Sequence, residues 1–170
     1  MPRKVKWFST IRLAIRSDIP QLLTLMQGLA EYEQYIDVFA VTEEVLARQG
    51  FDKSPPDFYA LVADSGMELV GMVVYYFLPF TATAKPTLFI KEVFVTEAAR
   101  GQNVGEQLMR RAAQVAVEHG CGAMLWAVAD WNTGGRKFYE RLGAVANPIW
   151  IDYGLKGESL ARLASGDVPA

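Results

Sequence analysis

The sequence predicts an α/β protein built on one mixed, mostly antiparallel central sheet flanked by helices. Three observations carry this expectation. The strand-like runs "FYALVAD" and "ELVGMVVYYF" flank Ser65-Gly66, a pair suited to a hairpin turn. Further on, "TLFIKEVFV", a stretch with helical spacing and "AMLWAVA" follow one another, the order of a strand–helix–strand crossover. Early hairpins with a late crossover imply a sheet of mixed direction. No repeat, low-complexity tract or Gly/Ser linker divides the chain, so residues 10–170 read as one domain behind a basic arm of residues 1–9.

Taken in order, "TIRLAI" alternates apolar and polar residues as a first strand does. Ser17 or Asp18 can cap the helix that follows, and Pro20 suits its first turn. Ile19, Leu22, Leu23, Met26, Leu29 and Ala30 then form one apolar face. "TEEVLARQG" reads as a short second helix with Thr42 as cap and Gly50 as stop. The hairpin strands come next, then the loop "FLPFTATAKP" and a fourth strand. The helix after Val104 ends at Gly120, where His119, the only histidine, faces the negative end of the helix dipole. "AMLWAVA" is a fifth strand, "TGGRKFYERLG" a short helix, "AVANPIWIDYG" a sixth strand and "GESLARLA" a terminal helix.

Composition narrows the function. Of 170 residues 51% are hydrophobic, and net charge is 17 − 19 = −2, which argues against nucleic acid or an anionic membrane as the main partner. One cysteine, Cys121, offers no internal disulfide. No run of about 18 apolar residues suggests a membrane span, and the basic start lacks a signal-peptide h-region, so a cytoplasmic location is expected. No His/Cys/Asp cluster has metal-ligand spacing, and no Ser-His-Asp or Cys-His set suggests covalent catalysis.

"RGQNVG" at 100–105 sits between the fourth strand and the next helix. A glycine-rich turn there presents backbone N–H groups at the positive end of a helix, which suits phosphate. Gly101 and Gly105 permit close approach or positive φ, Arg100 can add a charge-assisted fork, and Asn103 tolerates the left-handed region. The Walker spacing is excluded, because three residues separate the glycines and Glu106 follows the second; G-x-G-x-x-G does not fit either. Taken alone, the turn is read equally as a phosphate cradle or as a tight connection without a ligand.

"FIKEVFV", "RGQNVG" and "VADWNTGGRKFYERLGA" together resemble the GNAT superfamily of acyl-CoA-dependent N-acetyltransferases. "LAEYE", "TEEVLARQGF" and "FYALVA" narrow the resemblance to its diamine (spermidine/spermine) and thialysine branch, over residues 10 to about 165. It implies that Arg100, Gly101, Gln102, Asn103, Val104 and Gly105 wrap the pyrophosphate of acetyl-CoA, with Asn103 where the pattern has its middle glycine. It implies that Phe94 and Val95 pair with the pantetheine arm as an added strand, and that Val95 N–H polarises the thioester carbonyl. Tyr139 matches the general acid that protonates the departing thiolate; outside this block it would read as amphipathic packing, the default reading for Tyr32 and Tyr35 as well. Asn132 either bonds cofactor or amine or caps its helix, and Arg136 lies near the coenzyme A phosphates or on solvated surface.

The same resemblance places Tyr32 and Glu33 where the branch reads its cationic substrate, and Glu92 on its second acidic position of the fourth strand. The branch's first acid, a water-linked base, is here replaced by Lys91. If Lys91 reaches the site it repels polycations and favours amines that also carry a carboxylate; alternatively it points away, or a bulge brings Glu92 inward as the base. The function expected is direct acetyl transfer from acetyl-CoA to a small primary amine, a polyamine or a lysine-like amino acid, by a homodimer without metal. The rivals are a coenzyme A-binding regulatory module without turnover and a protein N-acetyltransferase.

Overall fold

The computed structural model describes residues 9–149 and 151–166. Of the expected arm at residues 1–9 all but Ser9 lies outside them, as does Trp150 of the expected sixth strand. The described residues gather into two compact units, divided between Ala129 and Asp130.

The first unit holds a five-stranded sheet in the order β1-β2-β3-β4-β5. Its strands are β1 Thr10–Leu13, β2 Tyr59–Asp64, β3 Leu69–Leu78, β4 Thr87–Val95 and β5 Ala123–Leu125. The first four run antiparallel and β5 lies parallel to β4, which makes the sheet mixed as the hairpin-then-crossover order requires. Ser65 closes the β2–β3 hairpin, its hydroxyl donating to the Glu68 carbonyl at 2.8 Å.

One face of the sheet carries α1, Ile19–Tyr32, and α2, Glu43–Leu46. Ile19, Leu22, Leu25, Met26 and Leu29 of α1 bury against Ala60, Val62, Met72 and Val74, the alternate residues of β2 and β3. The other face takes α3, Val104–Glu118, whose Leu108 lies over Gly71 so closely that a Cβ there would stand 3.0 Å from it. In the second unit α4 spans Thr133–Arg141 and α5 spans Gly157–Ser165.

Several local expectations need correction. Asp18 stands at the start of α1, but its carboxylate makes no helix cap. It accepts from both Nη groups of Arg12 at 2.6 and 2.9 Å and from Ile15 N–H at 2.8 Å, while Arg12 Nε reaches Asp64 at 3.0 Å. The buried carboxylate is thereby held below its usual pKa, first by the Arg12 hydrogen bond, and it ties β1 to α1 instead. Thr42 does cap α2, accepting from Val45 N–H at 3.3 Å. Gly50 does not stop that helix: the backbone widens into a π-turn over Ala47–Phe51, and the Phe58 ring covers Gly50 where a Cβ would sit 2.4 Å away. β5 is only Ala123–Leu125 rather than the full "AMLWAVA". Among the described residues of 144–154 no sixth strand forms.

Candidate active site

Three features of the first unit converge at the C-terminal end of β4. The first is an open edge. β5 pairs with β4 only from Thr87↔Ala123 to Phe89↔Leu125, so the edge of β4 beyond Phe89, which includes Phe94 and Val95, has no β5 ladder along it. A sheet edge with this direction free is a template for an added strand.

The second is the turn between β4 and α3. Gly101 has φ 76° and Asn103 has φ 63° and ψ 9°, so both residues are left-handed. Asparagine is the non-glycine residue best suited to that conformation, and it stands here where a glycine would be the default. Asn103 is the N-cap of α3 without a side-chain capping bond. Val104 and Gly105 open the helix, where the first N–H groups lack intrahelical acceptors and the dipole is positive. Gln102 folds back, its amide donating to the Ala98 carbonyl at 3.1 Å.

The third is a ring stack that leads from this turn to the end of α1. Phe94 points toward α1, where Gly28 leaves room for its ring; a Cβ on Gly28 would lie 3.0 Å from two ring carbons. Tyr32 follows one turn later on α1. The Arg100 guanidinium sits 5.2 Å from the Tyr32 ring centroid and 5.8 Å from that of Phe94. Its Nε donates to the Val95 carbonyl at 3.1 Å.

Beyond Tyr32 the chain turns sharply. Tyr35 N–H returns to the Ala30 carbonyl at 2.9 Å across a left-handed Gln34, φ 62°. This places Glu33 and Tyr35 within electrostatic range of Glu92. In β4 the register slips: Val74 faces Glu92 and Tyr75 faces Ile90, which leaves Lys91 as an extra, unpaired residue. The bulge expected as one alternative is therefore present. Lys91 is exposed, whereas Glu92 Oε2 is buried and has no hydrogen-bond partner. Burial pushes the Glu92 carboxyl above its ordinary range; Lys91 pulls it back and Glu33 adds to the rise. The Tyr35 phenol is pushed up to about 12, first by burial and then by Glu92 and Glu33.

In the second unit Tyr139 lies on α4 beside Phe138, ring centroids 5.2 Å apart. Asn132 caps this helix, its Oδ1 accepting from Gly135 N–H at 2.9 Å, and a Cβ on Gly135 would meet that amide at 2.7 Å. Arg136 is exposed, with a long contact of 3.5 Å from Nη1 to the Asp130 carbonyl. Among the described residues no group of three or more His, Cys, Asp or Glu could hold a metal ion. No described helix is long and apolar enough to cross a membrane.

Tyr35 and Gly28 are the site residues that sequence reasoning passed over. A glycine inside a helical pattern can mark a packing contact, and Gly28 carried that signal. Tyr35 carried none, because its position depends on the left-handed turn at Gln34.

Comparison with known proteins shows the family of the chain. The model of the acetyltransferase (GNAT) family matches residues 24–144. The pig (Sus scrofa) thialysine N-epsilon-acetyltransferase is 32% identical over 165 residues, 91% of this chain and 96% of that protein. The human (Homo sapiens) spermidine/spermine N(1)-acetyltransferase-like protein 1 is 33% identical over 142 residues, 79% of this chain but 20% of that longer protein. A solved integron cassette protein from the mobile metagenome of V. cholerae superposes with a TM-score of 0.78 at 25% identity, over 92% of this chain and 97% of the other. The chain belongs to the acetyltransferase (GNAT) family and is an acetyltransferase of that type, akin to enzymes that modify small amines.

Proposed function

We propose that this enzyme transfers the acetyl group of acetyl-CoA directly to the primary amine of a small, lysine-like amino acid, with Glu92 as the base. The observation that carries the reading is the buried, unpartnered Oε2 of Glu92. An ammonium has no lone pair and must lose a proton before it attacks. A carboxylate whose burial raises its pKa is a better proton acceptor than an exposed one and lacks a partner until a cation arrives.

The roles follow from chemistry and family pattern. Glu92 takes a proton from the ammonium, and Tyr32 and Glu33 hold the cation. The amine attacks the thioester carbon while Val95 N–H donates to the carbonyl oxygen, whose charge grows. The carbon–sulfur bond breaks, and the thiolate takes its proton from Tyr139. The pyrophosphate would lie on the main chain of residues 100–105, Arg100 and Asn103 included, and the pantetheine arm along the free edge at Phe94 and Val95. Asn132 and Arg136 would add contacts to the cofactor.

Lys91 favours the amino-acid substrate over the polyamine. Its charge reaches Glu92, and an exposed cation beside that carboxylate attracts a substrate carboxylate and disfavours a substrate of higher net positive charge. Thialysine, which the pig relative is named for, bears such a carboxylate.

The test is a thiol-release assay with acetyl-CoA and a panel of amines, run with wild type and Tyr139→Phe. Wild type is expected to turn over thialysine or lysine analogues. The variant should lose roughly a hundred- to ten-thousandfold in turnover with little change in cofactor affinity. Absence of thiol release with every amine would favour a regulatory module, and an unimpaired Tyr139→Phe would remove the acid from its role.

A further inference from the structure

Arg100 belongs to two places at once, and this joins them. Its backbone is the first residue of the turn assigned to the pyrophosphate. Its guanidinium lies over Tyr32, 5.2 Å from the ring, and over Phe94 at 5.8 Å, with Nε fixed on the Val95 carbonyl at 3.1 Å. These three anchors use the face of the guanidinium and one of its five N–H groups. The Nη atoms, on an exposed residue, retain their donors for an anion. Tyr32 in turn is the last residue of α1 and precedes Glu33, whose charge bears on Glu92.

We propose that Tyr32 is a positioning residue for the cofactor as well as a neighbour of the amine. Its ring, with that of Phe94, holds the Arg100 guanidinium flat so that the Nη pair is preset toward the pyrophosphate. An arginine free in solvent samples many rotamers and loses that freedom on binding. One held on two rings and a carbonyl has already lost it, so it binds the anion at lower entropic cost. Thermodynamic reciprocity follows: whatever fixes Tyr32 at the amine end strengthens coenzyme A binding at the other, and bound coenzyme A steadies Tyr32. The proposal rests on the acetyl-CoA reading and adds the route by which the two substrates sense each other.

The test is a double-mutant cycle on the affinity of coenzyme A itself, measured by titration calorimetry with the full chain and no amine. Tyr32→Leu should weaken coenzyme A about two- to fivefold, the scale of an exposed cation–π contact. Tyr32→Phe, which keeps the ring, should bind as wild type does. In an Arg100→Gln background Tyr32→Leu should have no further effect. Equal losses from Tyr32→Leu with and without Arg100 would overturn the proposal, as would a loss in Tyr32→Phe matching that in Tyr32→Leu. No detectable binding of coenzyme A by wild type would instead remove the acetyl-CoA reading, and the proposal with it.

Discussion

At the residue scale the site turns on the contrast between Lys91 and Glu92. Strict alternation would put neighbouring strand residues on opposite faces. The bulge at Lys91 shifts that alternation by one residue, so that Glu92 pairs with Val74 on the face covered by α1, its Oε2 buried, while Lys91 is exposed. Two unit charges about 4 Å apart at an effective dielectric near 20 interact by roughly 4 kcal/mol before screening. At an exposed lysine screening leaves a fraction of that, enough for a selectivity of several-fold. Lys91→Glu is therefore expected to raise kcat/KM for spermidine relative to thialysine by about tenfold. The comparison is one of competing substrates in the same assay, and an unchanged ratio would show that Lys91 selects nothing. The substitution of lysine for acid was legible in the sequence. The bulge beside it was not, because a bulge leaves no mark in a strand whose composition is otherwise regular.

At the element scale the sequence was informative where periodicity was strong. The apolar stripe of α1 and the two apolar runs flanking Ser65-Gly66 led directly to the elements observed, and Thr42 was recognised as a cap by residue type alone. It failed where tertiary contacts choose among local options. Asp18 has a capping residue's identity, yet Arg12 claims its carboxylate. Gly50 has a stop signal's identity, yet it serves to admit the Phe58 ring, which also packs edge-on against Phe51 at 6.3 Å. This second case gives a prediction. In an open helix Gly→Ala stabilises by about 1 kcal/mol. Here the methyl would press on the ring, so Gly50→Ala should destabilise by about 1–3 kcal/mol, as overpacking does. Chemical denaturation reads it, and a more stable variant would show that the ring moves aside freely. Of the candidate site, the turn was legible through its glycines and Asn103, whose left-handed φ of 63° fits the reading made from residue type. The shortened β5 was not, because "AMLWAVA" has the composition of a longer strand and nothing local says where pairing ends.

At the scale of the whole molecule two questions remain for experiment. The first is assembly. Val145, Ile149, Ile151 and Tyr153, all in the second unit, are each at least three-quarters exposed, apolar side chains that a second copy would cover. We expect a homodimer: light scattering should return twice the 18.9 kDa chain mass. Ile151→Asp with Tyr153→Asp should shift it toward the monomer, and a monomeric wild type at working concentration would end the idea.

The second question is whether the buried carboxylate is the base. A group whose pKa rises on folding supports the fold while protonated, and that support is lost as pH climbs through the folded value. Glu92 should therefore lower the stability of the free enzyme across the range above its ordinary 4.5, where it ionises without a partner. Its charge is nonetheless the form that accepts the amine proton, so activity should rise over the same window. Glu92→Gln separates the two effects. The most direct measurement is the melting temperature of the free protein beside the rate of thiol release from acetyl-CoA with the best amine of the panel, both for wild type and Glu92→Gln at pH 7.5. The account predicts opposite movements: melting higher by a few degrees, for a relief of about 1–3 kcal/mol, and turnover lower by roughly a hundred- to ten-thousandfold. A variant that keeps wild-type turnover, or that melts lower, would contradict it.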